Sequence, residues 1–291
     1  MATYSNTNKK DVYEAITEQL IQQIEQGVCP WLSPYLATVG FPKNYATKNS
    51  YRGINVFLLG MAGFSSPWFL TFVQAKAQGG NVKRGEKGSF VVKYGTYETE
   101  NESGEEQKRG FLKSYTVFNS SQIEGIEFPS VELRSPVTDT CAEARKIVAG
   151  MPNRPTIKYG SAMAFYRPAD DVVSMPNMED MRSPASYYST LHHEIVHACG
   201  AAHRLNRKSL VENRGMHASR KVYAEEELVA EMGAAFLNAT AGILESEVEN
   251  SAAYLAGWLK ALKTPDAKNW IIRAASQAQK SVDYILNVTR E

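Results

Sequence analysis

The sequence predicts an α+β protein of two domains. Strand-like runs cluster before residue 120 and again just past the middle, and helical periodicity dominates the remainder. Between these two textures lies EFPSVELRSPVTDT, a stretch of breakers and caps with no helical period. A length of 291 residues agrees, since it exceeds the usual size of one domain. The expected boundaries are residues 1–127 for the first domain, 128–138 for a linker and 139–291 for the second, each domain with a core of its own.

The elements follow in order. Between Asp11 and Gly27, the residues Val12, Ala15, Ile16, Leu20, Ile21 and Ile24 recur at three- and four-residue spacings, giving a helix with one apolar face that Gly27 stops. GSFVVKYGTYE and KSYTVFN read as the strands of a hairpin whose exposed, acidic tip is ETENESGEEQKRG. CAEARKIVAGM reads as the first helix of the second domain, and TIKYGSAMAFYRPADDVVSMPN as short strands. Helices are then expected at about 185–199, 221–241, 249–263 and 266–287. Within the strand region, ADDVVSMPN is expected to form an edge strand, either a plain one or one that pairs with an extended peptide.

Composition removes several classes of protein. With 43% hydrophobic and 22% charged residues the chain can bury a substantial core, which excludes disorder and collagen-like or low-complexity scaffolds. No apolar run approaches the roughly 18 to 20 residues of a membrane span, and the first residues lack the apolar stretch of a secretory signal. A soluble, cytoplasmic protein without a membrane partner is the expectation. Cys29, Cys141 and Cys199 show no paired spacing, so free thiols are expected rather than a disulfide framework or a zinc ribbon.

Residues 193–197 read His193, Glu194, Ile195, Val196, His197, the HExxH pattern, in a segment whose Tyr188, Leu191, Ile195 and Ala198 favour an amphipathic helix. Two imidazoles four residues apart leave one helix face and are spaced to grip a single ion, with Glu194 as general base toward the water on it. A third ligand is then required, and two candidates compete. His203 completes HExxHxxGxxH with Gly200 at the turn, although the segment that follows offers only Met216 toward the Met-turn of that class. Glu227 lies on the helix around YAEEELVAEMGAAFL, on one stripe with Tyr223 and Glu231. In that arrangement Glu227 ligates and Glu231 accepts a hydrogen bond from a ligand histidine. Glu225 and Glu226 read as solvated, with Glu226 a reserve ligand. Two histidines and a carboxylate accept several divalent ions, zinc first and manganese as the alternative.

The formal net charge of +1 hides a basic tract. From residue 43 to 93 eight basic residues face Glu86 alone, interleaved with Tyr45, Tyr51, Trp68 and several phenylalanines. Cations that neutralise phosphates and rings that stack on bases are the two ingredients of single-strand binding. The expected contact residues are Trp31, Tyr51, Arg52, Trp68, Lys83, Arg84 and Lys87, the last three in the turn GGNVKRGEKGS.

These residues also carry a resemblance. Through GVCPWLSPY, NYATKNSYRGINVFLL, WFLTFVQAKAQGGNVKRGEKGS and VFNSSQIEG, about residues 10 to 125 resemble the single-stranded-DNA-binding domain of the ArdC-type antirestriction family of conjugative plasmids. YYSTLHHEIVHACG, RLNR and YAEEELVAEMGAAFL are similar to the zincin-like metallopeptidase domain that accompanies it. The resemblance implies a protein that shields incoming single-stranded DNA from host restriction endonucleases and carries a Spartan-type metallopeptidase domain. The alternative it leaves open is a DNA-dependent protease acting on DNA-bound proteins. The family loop more often reads GHxxRLNR, whereas here Gly200-Ala201-Ala202 precedes His203, a departure that favours Glu227 as the third ligand.

Overall fold

The computed structural model describes residues 11–32, 35–100, 106–130, 140–211, 220–243, 252–264 and 267–288. Most of the expected linker, the centre of the hairpin tip and Met216 lie outside them. The Asp11 carboxylate accepts from the Tyr13 amide at 3.1 Å and so opens α1 (Val12–Glu25), which the chain leaves at Gly27 with φ 84°. There follow α2 (Tyr35–Thr38), β1 (Lys43–Asn44), α3 (Ile54–Gly60), β2 (Trp68–Thr71), α4 (Phe72–Ala77), β3 (Asn81–Val82), β4 (Ser89–Glu100), β5 (Glu106–Asn119) and β6 (Ile123–Glu124).

One sheet runs β1-β2-β5-β4, with β1 and β2 parallel and the other pairs antiparallel, while β3 and β6 form a separate pair. The β4–β5 register extends from Ser89↔Val117 to Glu100↔Glu106, so most of the polar segment read as a tip is strand. Backbone ladders do not need apolar side chains, and a two-stranded ribbon keeps its polar residues in water. The root of the hairpin is fixed to α3 by Asn55, whose side chain donates to the Val92 carbonyl and accepts from the Val92 amide, both at 2.8 Å.

The second part contains α5 (Thr140–Gly150), β7 (Thr156–Lys158), β8 (Phe165–Arg167), β9 (Val172–Ser174), α6 (Pro184–Cys199), α7 (Lys208–Val211), α8 (Arg220–Ala241), α9 (Ala252–Leu262) and α10 (Ala267–Ile285). Its sheet has the order β7-β9-β8, which corrects one expectation. ADDVVSMPN supplies the central strand, with Val172, Val173 and Ser174 all buried, and β8 takes the edge. Two adjacent β-branched residues suit a strand covered on both faces.

The separate cores expected for the two parts are also corrected. The main apolar cluster runs from Ile16, Leu20 and Ile24 of α1 through Phe57 of α3 to Leu228 and Phe236 of α8 and Ile271 of α10. Phe57 stacks on Phe236 with centroids 4.9 Å apart and planes 9° apart. α1 spends its apolar face largely on α9 and α10, beyond its own domain's sheet. Two smaller clusters, around Phe69 and around Leu70, stay within the first part. Cys29, Cys141 and Cys199 are free thiols. Among the described residues no helix is long and apolar enough to cross a membrane.

Candidate metal centre and basic surface

Helix α6 is set by its ends. The Ser183 hydroxyl accepts from the Ser186 amide at 3.1 Å, Pro184 occupies the first turn, and Gly200 terminates the helix. His193, Glu194 and His197 then share a face that looks into a cleft of about 740 Å³, walled by Ala164 to Ala169 of the β8 segment and by Tyr223, Glu226 and Glu227 of α8. Close approach of α8 to α6 depends on Gly233, where a Cβ would lie 2.8 Å from both methyl carbons of Val196. Docked this closely, α8 brings Glu227 to the imidazoles.

The donor atoms form a triangle. His193 Nε2 and His197 Nε2 are 3.1 Å apart, and the Glu227 oxygens lie 3.4 Å from the first and 3.6 Å from the second. A cation held tetrahedrally by bonds of about 2.1 Å spaces its ligands by about 3.4 Å. These three residues therefore fit a divalent metal ion, as their grouping also indicates. The field agrees. Burial works against protonation of His193, but the Glu227 hydrogen bond and the charges of Glu231 and Glu194 outweigh it and raise the imidazole to about 8. Surroundings that favour a proton on this ring favour a cation beside it.

Glu226 has a different task from the one expected. It is buried, and its Oε1 lies 3.0 Å from His197 Nδ1. Arg207 grips it with Nε at 2.8 Å and Nη2 at 2.5 Å, and Ser209 donates to it as well. Burial alone would raise the Glu226 carboxyl, but the His197 hydrogen bond and Arg207 hold it down at about 2. An ionised carboxylate only accepts, so His197 carries its proton on Nδ1 and turns the Nε2 lone pair toward the triangle. Glu226 is thus neither solvated nor a ligand. It makes for His197 the kind of bond expected of Glu231, whose place beside His193 is marked by its charge. Glu225 pairs with Arg273 at 3.1 Å rather than standing free in solvent. The Tyr223 phenol lines the same cleft beside Glu227 and favours its ionised form.

His203 is not brought to the triangle. Its side chain is 55% exposed and lies 3.4 Å from Asp171, outside the triangle. The neighbouring Arg204 clamps Asp171 through two contacts of 2.8 and 2.7 Å and donates to the carbonyls of Asn153 and Ala198, which fixes the loop after α6. Arg207 closes it from inside, donating to the Val196 carbonyl at 2.8 Å and to Ser281 of α10 at 2.9 Å. Sequence reasoning missed the roles of Arg204 and Arg207, although the RLNR run contains both. His192 was also unassigned. It is buried with Nδ1 2.7 Å from Asn238, and burial lowers it to about 4 despite that bond, so it clips α6 to α8 in the neutral form.

The basic surface is rearranged relative to expectation. Trp31 is 1% exposed and packs edge-on against Trp258 at 5.4 Å, so it is core. Tyr51 is half-buried, its hydroxyl taking the Asn44 amide at 3.3 Å and its ring set edge-on against Phe69. Arg52 is committed to Asp283 on α10, and the adjacent Gly53 amide donates to Gln279. Trp31 is therefore a packing residue, whereas Tyr51 and Arg52 stay partly exposed on the turn that meets α10. Trp68 is half-buried at the start of β2. It meets Tyr45 edge-on at 5.6 Å, and the ammonium groups of Lys48 and Lys43 stand 5.2 and 5.7 Å from its ring. Lys48 also sits 3.4 Å over Tyr45. Lys83 is exposed but donates to the Ser121 carbonyl at 2.7 Å, while Arg84 and Lys87 are exposed.

The family model for the N-terminal domain of the anti-restriction factor ArdC matches residues 10–118, and that for a zincin-like metallopeptidase matches residues 143–277. Crystal structures of the antirestriction ArdC protein from the R388 plasmid superpose along nearly the whole chain. The metal-free form gives a TM-score of 0.75 at 36% identity, covering 97% of this chain and 100% of that one. The Mn(II)-bound form gives 0.74 at 35% identity, covering 96% and 98%. The uncharacterized protein y4eC of Sinorhizobium fredii is 32% identical over 94% of this chain and 91% of its own length. A DNA primase TraC of Escherichia coli is 32% identical over 96% of this chain, which spans 27% of that protein.

Proposed function

Because the chain belongs to the ArdC family of antirestriction proteins, we propose that it binds single-stranded DNA entering by conjugation and shields it from host restriction endonucleases. The observation that carries this reading is the end-to-end match to an antirestriction ArdC structure, together with a cationic aromatic cluster at Tyr45, Lys48 and Trp68. Phosphates meet Lys43, Lys48, Arg84 and Lys87, and Trp68 offers a ring for bases, so binding is sensitive to salt and tolerant of sequence.

The second domain holds a divalent cation through His193, His197 and Glu227. When bound, that cation supplies Lewis-acid activation of water and of a carbonyl. Glu194, set in the cleft wall beside the histidines, takes a proton from water at its carboxylate and returns it to a leaving amine. Glu226 and Arg207 keep His197 in the tautomer the site needs, and Tyr223 favours the ionised form of Glu227. Zinc is the cation this donor set favours, since manganese lies at the weak end of the divalent series. Elemental analysis of protein purified without added metal tests that, and manganese alone would overturn it.

Transfer of a plasmid into restricting recipients tests the whole, with wild type beside Glu194→Gln. Protection retained by a metal-loaded Glu194→Gln variant assigns shielding to strand binding. Failure of the wild-type protein to prefer single strands over duplex at moderate salt overturns the reading. A second reading, cleavage of proteins attached to DNA, is favoured by the β8 edge standing beside Glu194 in the cleft. It requires that Glu194→Gln abolish cleavage of a protein crosslinked to a single strand.

A further inference from the structure

The β4–β5 hairpin has two unlike faces. On one, Val92 is tied to α3 through Asn55, and Phe90 and Leu112 pack against the main core. The opposite face carries the pairs Val91↔Tyr115, Lys93↔Lys113 and Gly95↔Phe111, and beyond buried Val91 it lies open. Tyr115 is 38% and Phe111 43% exposed, and both lysines are exposed. Lys113 stands 5.4 Å over the Tyr115 ring.

Three features of this face are costly without a ligand. Two lysines directly opposite on a ladder repel each other, and neither has an ion-pair partner among the described residues. Large rings are partly exposed on an outer ribbon, where apolar surface invites aggregation. Gly95 lacks the side chain that a strand prefers, and the space is taken by Phe111, whose ring a Cβ at 95 would meet at 2.4 Å. Phe111 thereby lies close over the strand opposite, as a platform.

We propose that this outward hairpin face, with Tyr115, Lys113 and Phe111 in line and Lys93 alongside, is a track for an extended single strand of DNA. The inference rests on the single-strand reading above and adds a surface to it. Ring, cation and ring alternate along β5 with about 7 Å between successive side chains on the face. A stacked duplex strand advances about 3.4 Å per nucleotide and cannot match that step, whereas an unstacked strand can place bases on the two rings and a phosphate between the lysines. The track starts where the turn bearing Arg84 and Lys87 leads into β4, so the two surfaces adjoin.

The test measures binding of a fluorescent oligothymidine to the full chain by anisotropy over a salt series. Wild type is compared with Phe111→Ala, Tyr115→Ala and the double variant Lys93→Gln/Lys113→Gln, with thermal unfolding and sedimentation as controls on folding and assembly. Each ring variant weakens binding by about tenfold. The double lysine variant flattens the slope of log affinity against log salt by about 0.7, the share of one phosphate. Wild-type binding with unchanged variants overturns this track and leaves the single-strand reading standing. No binding by wild type removes both. A wild-type dimer that the variants convert to monomers at unchanged DNA affinity assigns the face to contact between copies, and the proposal fails.

Discussion

Replacing Arg207 with methionine isolates the support behind the metal centre from the ligands themselves. The guanidinium side chain is 3% exposed and faces a Glu226 carboxylate that is 6% exposed, with two direct contacts of 2.8 and 2.5 Å. Methionine keeps much of the volume but leaves a buried anion without its cation. Breaking a buried pair in this one-sided way costs about 3–5 kcal/mol. That is a large share of a domain's total stability, and for a chain of this size it corresponds to a fall in Tm of roughly 10 °C. The second consequence falls on the metal. With Glu226 no longer held, the His197 Nδ1 bond loosens, and loss of such an orienting partner weakens metal affinity by about 10- to 100-fold. Thermal unfolding of the metal-free protein and chelator competition for zinc measure the two effects separately. Adding Glu226→Gln to the variant removes the stranded charge while an amide oxygen still accepts from His197. Part of the lost stability and of the lost affinity therefore returns. Unchanged unfolding and unchanged affinity in Arg207→Met would refute the assignment, as would a double variant worse than the single one.

Three further outcomes follow from the same geometry. Gly233→Ala places a methyl group 2.8 Å from the Val196 methyl carbons, so it forces α6 and α8 apart, costs about 1–3 kcal/mol in denaturant unfolding and weakens metal binding. His203→Asn leaves the metal stoichiometry and affinity of wild type, as measured by titration calorimetry, because its ring lies outside the donor triangle. The Asp171 carboxyl is held below its ordinary 3.8 by the Arg204 hydrogen bond, which outweighs partial burial. Its contribution is therefore complete above about pH 4 and fades as the pH falls through the lowered value. Melts from pH 6 downward should show Asp171→Asn less stable than wild type near neutrality, with the gap closing in acid.

Metal-site geometry was readable where it depends on chain-local spacing. His193 and His197 share a face because four residues make about one helical turn, and Glu227 falls on the stripe of Tyr223 and Glu231 for the same reason. The hairpin strands and the helices of the second part were legible from periodicity, and the hairpin failed only where polar residues continue a ladder that needs no apolar pattern. Arg204 and Arg207 were hidden because an arginine in a loop reads as solvent-exposed until its partners are known. The packing of some candidate DNA-contact residues was hidden in the same manner. Trp31 has the right chemistry but is buried against Trp258 of α9, Arg52 is drawn to Asp283 of α10, Tyr51 is half-buried against Phe69, and the outward face at Phe111 and Tyr115 exists only once the strand register is fixed.

The chain's own order of residues therefore determined the HExxH helix, the acidic stripe that completes it and the cationic, aromatic character of the first part. These rest on dihedral periodicity and composition, which each segment carries wherever it is placed. The tertiary structure alone decided that Glu227 reaches the ion site while Glu226 turns to Arg207, that the two parts share one core, and which rings meet solvent. One residue along a helix is a rotation of about 100°, so the choice between neighbouring glutamates belongs to the angle at which α8 docks on α6. That angle is set by long-range contacts such as Gly233 on Val196.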